Sequence, residues 1–351
     1  PRINYDANGE NGALLLEPSR QQLITQSEYF GASNWNKTRA TISDNVSVSP
    51  EGVQNAAKII STAVDNSHYI RHDVSSTTGV CYVFAKADDF TFLKLATNAH
   101  SFSPSFFNLT NGEVTKSALY DAEIEPYGNG WYKCIIKPTD AFTQFFVENA
   151  GDSASATHLG DGVKGVLIYG AQAESNATYA TSYIPNHGTS GGVTRAADSF
   201  VKTSASSLIN SEEGVVFVDI TLNGLTNFGT PLSLNNGTLS NYIWLTIFGN
   251  GNLRAEVWNG SVQAQMSYSG AVVGGRYKMA FAYAPNDFVL YVNGTQVGTD
   301  NSGATFSANT LSRIDSNNLY ASNSVSAYLN NQTALFNERL SNAELATLTT
   351  L

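Results

Sequence analysis

This chain is short of charge, of sulfur and of long apolar runs. Charged residues make up 14% of its 351 positions and the formal net charge is −10, against roughly a quarter charged in ordinary soluble domains. Without clustered Lys and Arg there is no counterion-release footprint, so no nucleic-acid partner is expected. Neutral glycans suit such a surface better than polyanions. No stretch approaches the ~18 consecutive apolar residues of a membrane-spanning helix, so no membrane insertion is expected. No signal-peptide pattern opens the chain. It starts at Pro1 rather than Met, as expected of a processed product, an excised fragment or an incomplete chain. Two cysteines, Cys81 and Cys134, are too few for a disulfide framework or a four-thiolate zinc site. Both sit in strand-like runs, "GVCYVFAKA" and "WYKCIIKP". They are either small buried hydrophobes or one bridge between neighbouring strands.

What fills the chain instead is Asn, Ser, Thr, Gly and aromatics, arranged in short alternating segments. In "FTFLKLATN" Leu93 and Leu95 share one face and Phe92 and Lys94 the other, the period of a pleated strand. "GRYKMAFAY" places Tyr277, Met279, Phe281 and Tyr283 on one face, with Lys278, Ala280 and Ala282 on the other. "NDFVLYVNGTQVGTD" carries Asn293-Gly294 between two strand-like runs, a hairpin signal because both turn positions tolerate positive φ. One C-terminal helix is predicted over "LSNAELATLTTL": Ser341 and Glu344 form a capping box, and Leu345 and Leu348 an apolar stripe. A shorter helical turn is expected after Pro18. The fold class that follows is all-β: two tandem antiparallel β-sandwiches with a short C-terminal helix. Residues 191–212, rich in Gly, Ser and Thr, read as linker and strand entry between a domain at 1–190 and another at 213–351.

A set of segments occurs in order along the first half: "PRINYDANGENGALLLEPSRQQLITQSEYF", "NWNK", "SPEGVQNAAKI", "CYVFAKA", "GNGWYKC" and "GAQAESNATYATSYIPNHGTSGGVTRAAD". It resembles a module of bacteriophage tail and appendage proteins. In that family the module is a jelly roll similar to carbohydrate-binding modules, often followed by a concanavalin A-like, laminin-G-like domain. The second half resembles that partner through "GRYKMAFAYAPNDFVLYVNGTQVGTD" and "LFNERLSNAELATLT". The family's closing strand more often ends in Gln-Leu-Glu, where Gln172-Ala173-Glu174 stands here. The resemblance implies a non-enzymatic virion-surface appendage that binds host cell-surface polysaccharide and contacts other virion proteins; the gain from displaying weak sites in repeated copies points to a homo-oligomer such as a trimer. Two rivals stay open: a purely structural decoration protein, and an accessory carbohydrate-binding region of a secreted polysaccharide-degrading enzyme.

Candidate chemistry is sparse. Retaining glycosidases need two carboxylates about 5 Å apart, and the second half has no Glu-x-Asp-x-x-Glu run to supply them; Asp219 stands alone in its strand. Asp121, Glu123 and Glu125 share a strand face that reads as a solvated edge. His68 and His72 have the spacing of a helical metal pair but lie among β-formers. No cofactor is expected, with calcium at Asp161, in the turn "LGDGVKG", as the open possibility. Eight Asn-x-Ser/Thr triplets follow from composition and are not read as glycosylation sites. Sugar binding needs an aromatic face and nearby amides or carboxylates. The candidates are Trp35, Tyr242 and Trp258, each with a competing place in the core.

Overall fold

The computed structural model describes residues 2–5, 12–225, 228–316 and 327–351. It divides into two compact units, Arg20–Arg195, and Pro1–Ser19 with Ala196–Leu351. Each is a sandwich of antiparallel sheets, and the described residues form one α-helix, Asn342–Thr349, as the sequence pattern predicts.

In the Arg20–Arg195 unit, one sheet is built on strands Phe92–Thr97, Phe142–Asn149 and His68–Thr77. The other is built on Trp131–Lys137, Gly79–Lys86 and Gly165–Ser175. Their inner faces alternate into one core: Leu93 and Leu95, Phe145 and Val147 from the first, Cys81, Val83, Cys134 and Ile136 from the second. The two cysteines are buried and unbridged, and burial pushes both thiols well up. They serve as small hydrophobes.

The strand Gly165–Ser175 is interrupted at Gly170, which has φ 57° and breaks the pairing register between Tyr169 and Gln172. The break shifts the alternation by one residue. Val166 and Ile168 face the core before it, Ala171 and Ala173 after it. Tyr169, Gln172 and Glu174 therefore point to the sheet's other face, where the chain folds back over them. Glu174 accepts hydrogen bonds from Thr181 N at 2.7 Å, Thr181 Oγ1 at 3.0 Å and Gln172 Nε2 at 2.9 Å, and Arg20 Nε lies 3.3 Å away. Ile184 is buried and the Tyr183 ring packs on Phe84 and Tyr169.

In the second unit, the inner faces of two sheets enclose Val216, Val218, Ile220, Leu245, Ile247, Met279, Phe281 and Leu290. The predicted hairpin is present: Asn293 and Gly294, at φ 48° and 79°, join strands Asp287–Val292 and Thr295–Asp300. So is the capping box, with Glu344 N donating to Ser341 Oγ at 3.4 Å and Ser341 N to Glu344 Oε2 at 2.8 Å. Leu345 is buried against Val215, Phe217, Ala280 and Ala282.

Three placements differ from the sequence expectations. No helical turn follows Pro18; Arg20–Gln22 is a strand paired with Val193–Arg195. The opening residues belong with the second sandwich, because strand Ala13–Leu16 pairs with Tyr328–Phe336 and Leu16 enters that core. Arg2 bridges Glu17 at 2.8 Å and Asp198, closing the same edge. The division at 195/196 falls inside the expected 191–212 segment, which is strand in part: Val201–Lys202 pairs with Arg313–Asp315.

Two outcomes are expected. Glu174→Ala orphans the donors of Thr181 and costs the first unit about 3 kcal/mol, read as a lower urea midpoint. His158 lies 4.6 Å from the His68 ring and 2.9 Å from Ser61 Oγ. Burial and the neighbouring His68 together lower its imidazole from 6.5 to about 4. The unfolded chain then binds the extra proton first, so this contribution to stability is complete above pH 6.5 and is lost as pH falls towards 4. Thermal melts of His158→Asn should show a flatter acid limb than the parent.

Candidate functional site

The aromatic candidates named from sequence are mostly structural. Trp35 is 1% exposed, its ring packed 5.1 Å from Phe30 and 5.0 Å from His72. Tyr242 is also 1% exposed and donates to Glu256 Oε1 at 2.7 Å. Register brings Tyr242 and Trp258 together on adjacent strands, with rings stacked at 6.1 Å and 10°. Trp258 is half-buried. Both lie on the sheet face away from the core, beside Trp244, whose ring centre is 3.9 Å from that of Tyr242. As a sugar platform, Tyr242 is inaccessible and Trp258 offers only part of its ring.

The calcium candidate, Asp161, caps its own turn with one carboxylate oxygen. Asp161 Oδ1 accepts the backbone N–H of Lys164 at 2.8 Å and of Val163 at 2.9 Å, and these two donors hold its carboxyl below the usual range. Among the described residues no group of three or more His, Cys, Asp or Glu is placed to hold a metal. His68 and His72 lie on the strand His68–Thr77, and both are hydrogen-bonded internally. Asp121, Glu123 and Glu125 form the solvated edge expected, bridged to Lys116, Lys137 and Lys133. Gly188-Thr189-Ser190-Gly191-Gly192 has the Gly-x-Ser-x-Gly spacing of a serine nucleophile. It sits in an exposed turn that leads into the strand Val193–Arg195, not in a strand-to-helix elbow.

An open polar cleft of about 280 Å³ lies elsewhere in the first unit, lined chiefly by Gln26, Glu28, Tyr29, Asp44, Asn55 and His187. Three parts of the chain build it. The first is the segment following strand Arg20–Gln22, held from below by Trp35, whose indole N–H donates to the Gln26 carbonyl at 2.8 Å. The second is the exit from strand Gly165–Ser175. Gln26 and His187 form an isolated bridge, Ser27 N donates to Asn186 O at 3.0 Å, and Asn186 N to Ser27 Oγ at 2.8 Å. Tyr183 adds its hydroxyl to Ser27 Oγ at 2.6 Å and Glu28 Oε1 at 3.1 Å, which leaves His187 Nε2 3.4 Å from Glu28.

The third part is the paired strands Ala40–Val48 and Gln54–Ser61, the second of which carries Asn55; their pairing breaks between Ser43 and Ser47. Asn45 sits there at φ 58°, with Asp44 beside it. Gly31 lets the parts close up: a Cβ there would stand 2.3 Å from Asp44 Oδ2 and 2.8 Å from the Tyr29 ring. Gly31 N donates to Asp44 Oδ1 at 3.3 Å. Tyr29 is 54% exposed. The result is one accessible aromatic ring among carboxylate acceptors, amides and an imidazole, a set that can hold a hydroxylated ring by face and edge.

Sequence reasoning passed over these residues because they come from three distant stretches. "QSEYFG", with its aromatic set among polar residues, was the local hint.

No family model matches the chain, and no curated protein matches it. Parts of it are similar to solved β-sandwich proteins. The CBM40 module of Ruminococcus gnavus IT-sialidase, solved with α2,3-sialyllactose, is 18% identical at TM-score 0.36, over 41% of this chain and 86% of that one. NanB sialidase from Streptococcus pneumoniae is 15% identical at TM-score 0.36, over 42% of this chain but only 27% of the sialidase. A Limulus polyphemus SAP-like pentraxin is 17% identical at TM-score 0.32, over 40% and 70%. Likeness at this level carries no information on function.

Trp35→Ala is expected to cost the first unit about 3–5 kcal/mol, measured by urea unfolding. Trp258→Ala should leave that transition unmoved.

Proposed function

We propose that this chain is a non-catalytic glycan-binding protein, and that its first unit holds a neutral sugar in the Tyr29 cleft. The observation that carries the reading is the composition of that cleft: a single exposed aromatic ring, with Gln26, Asn55, Glu28 and Asp44 around it. A pyranose lays its apolar C–H face on the ring and gives its hydroxyls to the amides and carboxylates. Glu28 and Asp44 accept from hydroxyls and repel anionic sugars, in keeping with the chain's net charge of −10.

The setting we favour is a virion-surface appendage that displays the cleft to host cell-surface polysaccharide, supported by the sequence resemblance in the first half. Repeated copies in a homo-oligomer would turn weak single-site binding into useful avidity. An accessory region of a secreted polysaccharide-degrading protein would use the same cleft in the same way.

A glycan array with the full chain tests this. Saturable binding to neutral oligosaccharides is expected, weakened at least about tenfold by Tyr29→Ala and by Gly31→Val, and unchanged by EDTA. A folded chain that binds no glycan, or binding indifferent to Tyr29→Ala, overturns the reading. New reducing or unsaturated ends in the bound polysaccharide would make the protein an enzyme. Mass spectrometry of purified virions, set against secreted fractions, separates the two settings.

A further inference from the structure

The second unit has a cleft of its own, and its chemistry differs. Along strand Gly214–Leu222, the side chains facing away from the core are Val215, Phe217, Asp219 and Thr221: two apolar, then two polar. The helix Asn342–Thr349 covers the apolar pair through Leu345. The polar pair is left to an open cleft of about 760 Å³, lined chiefly by Asn4, Tyr5, Asp219, Thr221, Arg276 and Asn331.

Asp219 anchors the cleft floor. Its side chain is 3% exposed and takes a side-on pair of hydrogen bonds from Arg276, Nε at 2.9 Å and Nη2 at 2.6 Å, with Asn331 Nδ2 at 3.1 Å. A guanidinium has five N–H donors, and this pairing uses two. The end-on edge, made by Nη1 and the second Nη2 hydrogen, meets no acceptor among the described residues, and the Arg276 side chain is 52% exposed. Asp219 thus pre-sets the plane of a fork whose other side faces the cleft. Lys278, the register partner of Asp219, turns its ammonium to the Thr350 carbonyl at 2.7 Å, so the cation among the described lining residues is Arg276.

The wall is aromatic. Tyr5 is 57% exposed, and its ring lies against Gly12 so closely that a Cβ there would stand 2.8 Å from Cε1. Asn331 Nδ2 is committed to Asp219 and Thr221, leaving its carbonyl oxygen to accept.

We propose that this cleft is a second saccharide site, selective for a sugar bearing a carboxylate. The carboxylate takes the end-on edge of Arg276 as a two-oxygen, planar partner. The sugar ring lies over Tyr5, and its hydroxyls meet Asn331 and Asn4. The site is independent of the Tyr29 cleft.

Isothermal titration of the full chain tests this with tetra-galacturonate, its neutral methyl ester, a pyruvate-ketal galactoside and hexaglutamate. Galacturonate, the ketal or both should bind at least about tenfold more tightly than the ester, with affinity falling as salt rises. Tyr5→Ala should weaken binding about tenfold with the melt unchanged. Arg276→Lys, which keeps the charge but not the fork, should weaken it similarly. Tyr29→Ala should leave it untouched. Equal binding of acid and ester, binding of neither acid, tighter binding of hexaglutamate, or indifference to Tyr5→Ala overturns the proposal. A loss with Tyr29→Ala instead would move the acid to the first cleft and also overturn it.

Discussion

Glu174 is fully buried, and the donors around it set the path of everything that follows the last long strand of the first sandwich. Burial pushes its carboxyl above the usual range, yet each hydrogen bond it makes comes from a donor, so the network holds together by pairing rather than by solvation. Thr181 is tied down, and Tyr183 is then laid on Phe84 and Tyr169. From there its hydroxyl reaches Ser27 and Glu28, and Asn186 is stitched to Ser27. One wall of the Tyr29 cleft exists because one carboxylate is held against a sheet face that would otherwise face solvent.

The same division recurs in the second sandwich. A sheet has two faces, and only one is needed for the core. On strand Gly214–Leu222 the other face changes character halfway, from Val215 and Phe217 to Asp219 and Thr221. The helix covers what is apolar, and Arg276 neutralises what is charged. The cleft of the second sandwich lies where that face turns polar. In both sandwiches, a glycine allows a tyrosine close approach: Gly31 beside Tyr29, Gly12 beside Tyr5.

Much of the scaffold was legible because its signals are local. The alternation in "GRYKMAFAY" separates the residues that enter the main core from Ala280 and Ala282 on the helix-covered face. Asn293-Gly294 makes its hairpin, and Ser341 its cap. Two of the three aromatic candidates, Trp35 and Tyr242, are buried. A tryptophan in a polar run such as "GASNWNKT" looks exposed, but Trp35 packs its ring against Phe30 and His72 while Asn36 and Lys37 stay at the surface. Asp219 looked solitary because its partners, Arg276 and Asn331, lie on neighbouring strands far along the chain.

Sequence by itself determined the repertoire: an all-β chain of short alternating strands, two cores and a capped terminal helix. Those properties depend on residue type and on spacing within one strand or turn, which steric and solvation preferences enforce locally. Only the tertiary structure decided which aromatics are reachable, that the opening strands join the second sandwich, and which distant side chains share a cleft. Each depends on strand order and register, and one step of register exchanges the two faces of a sheet.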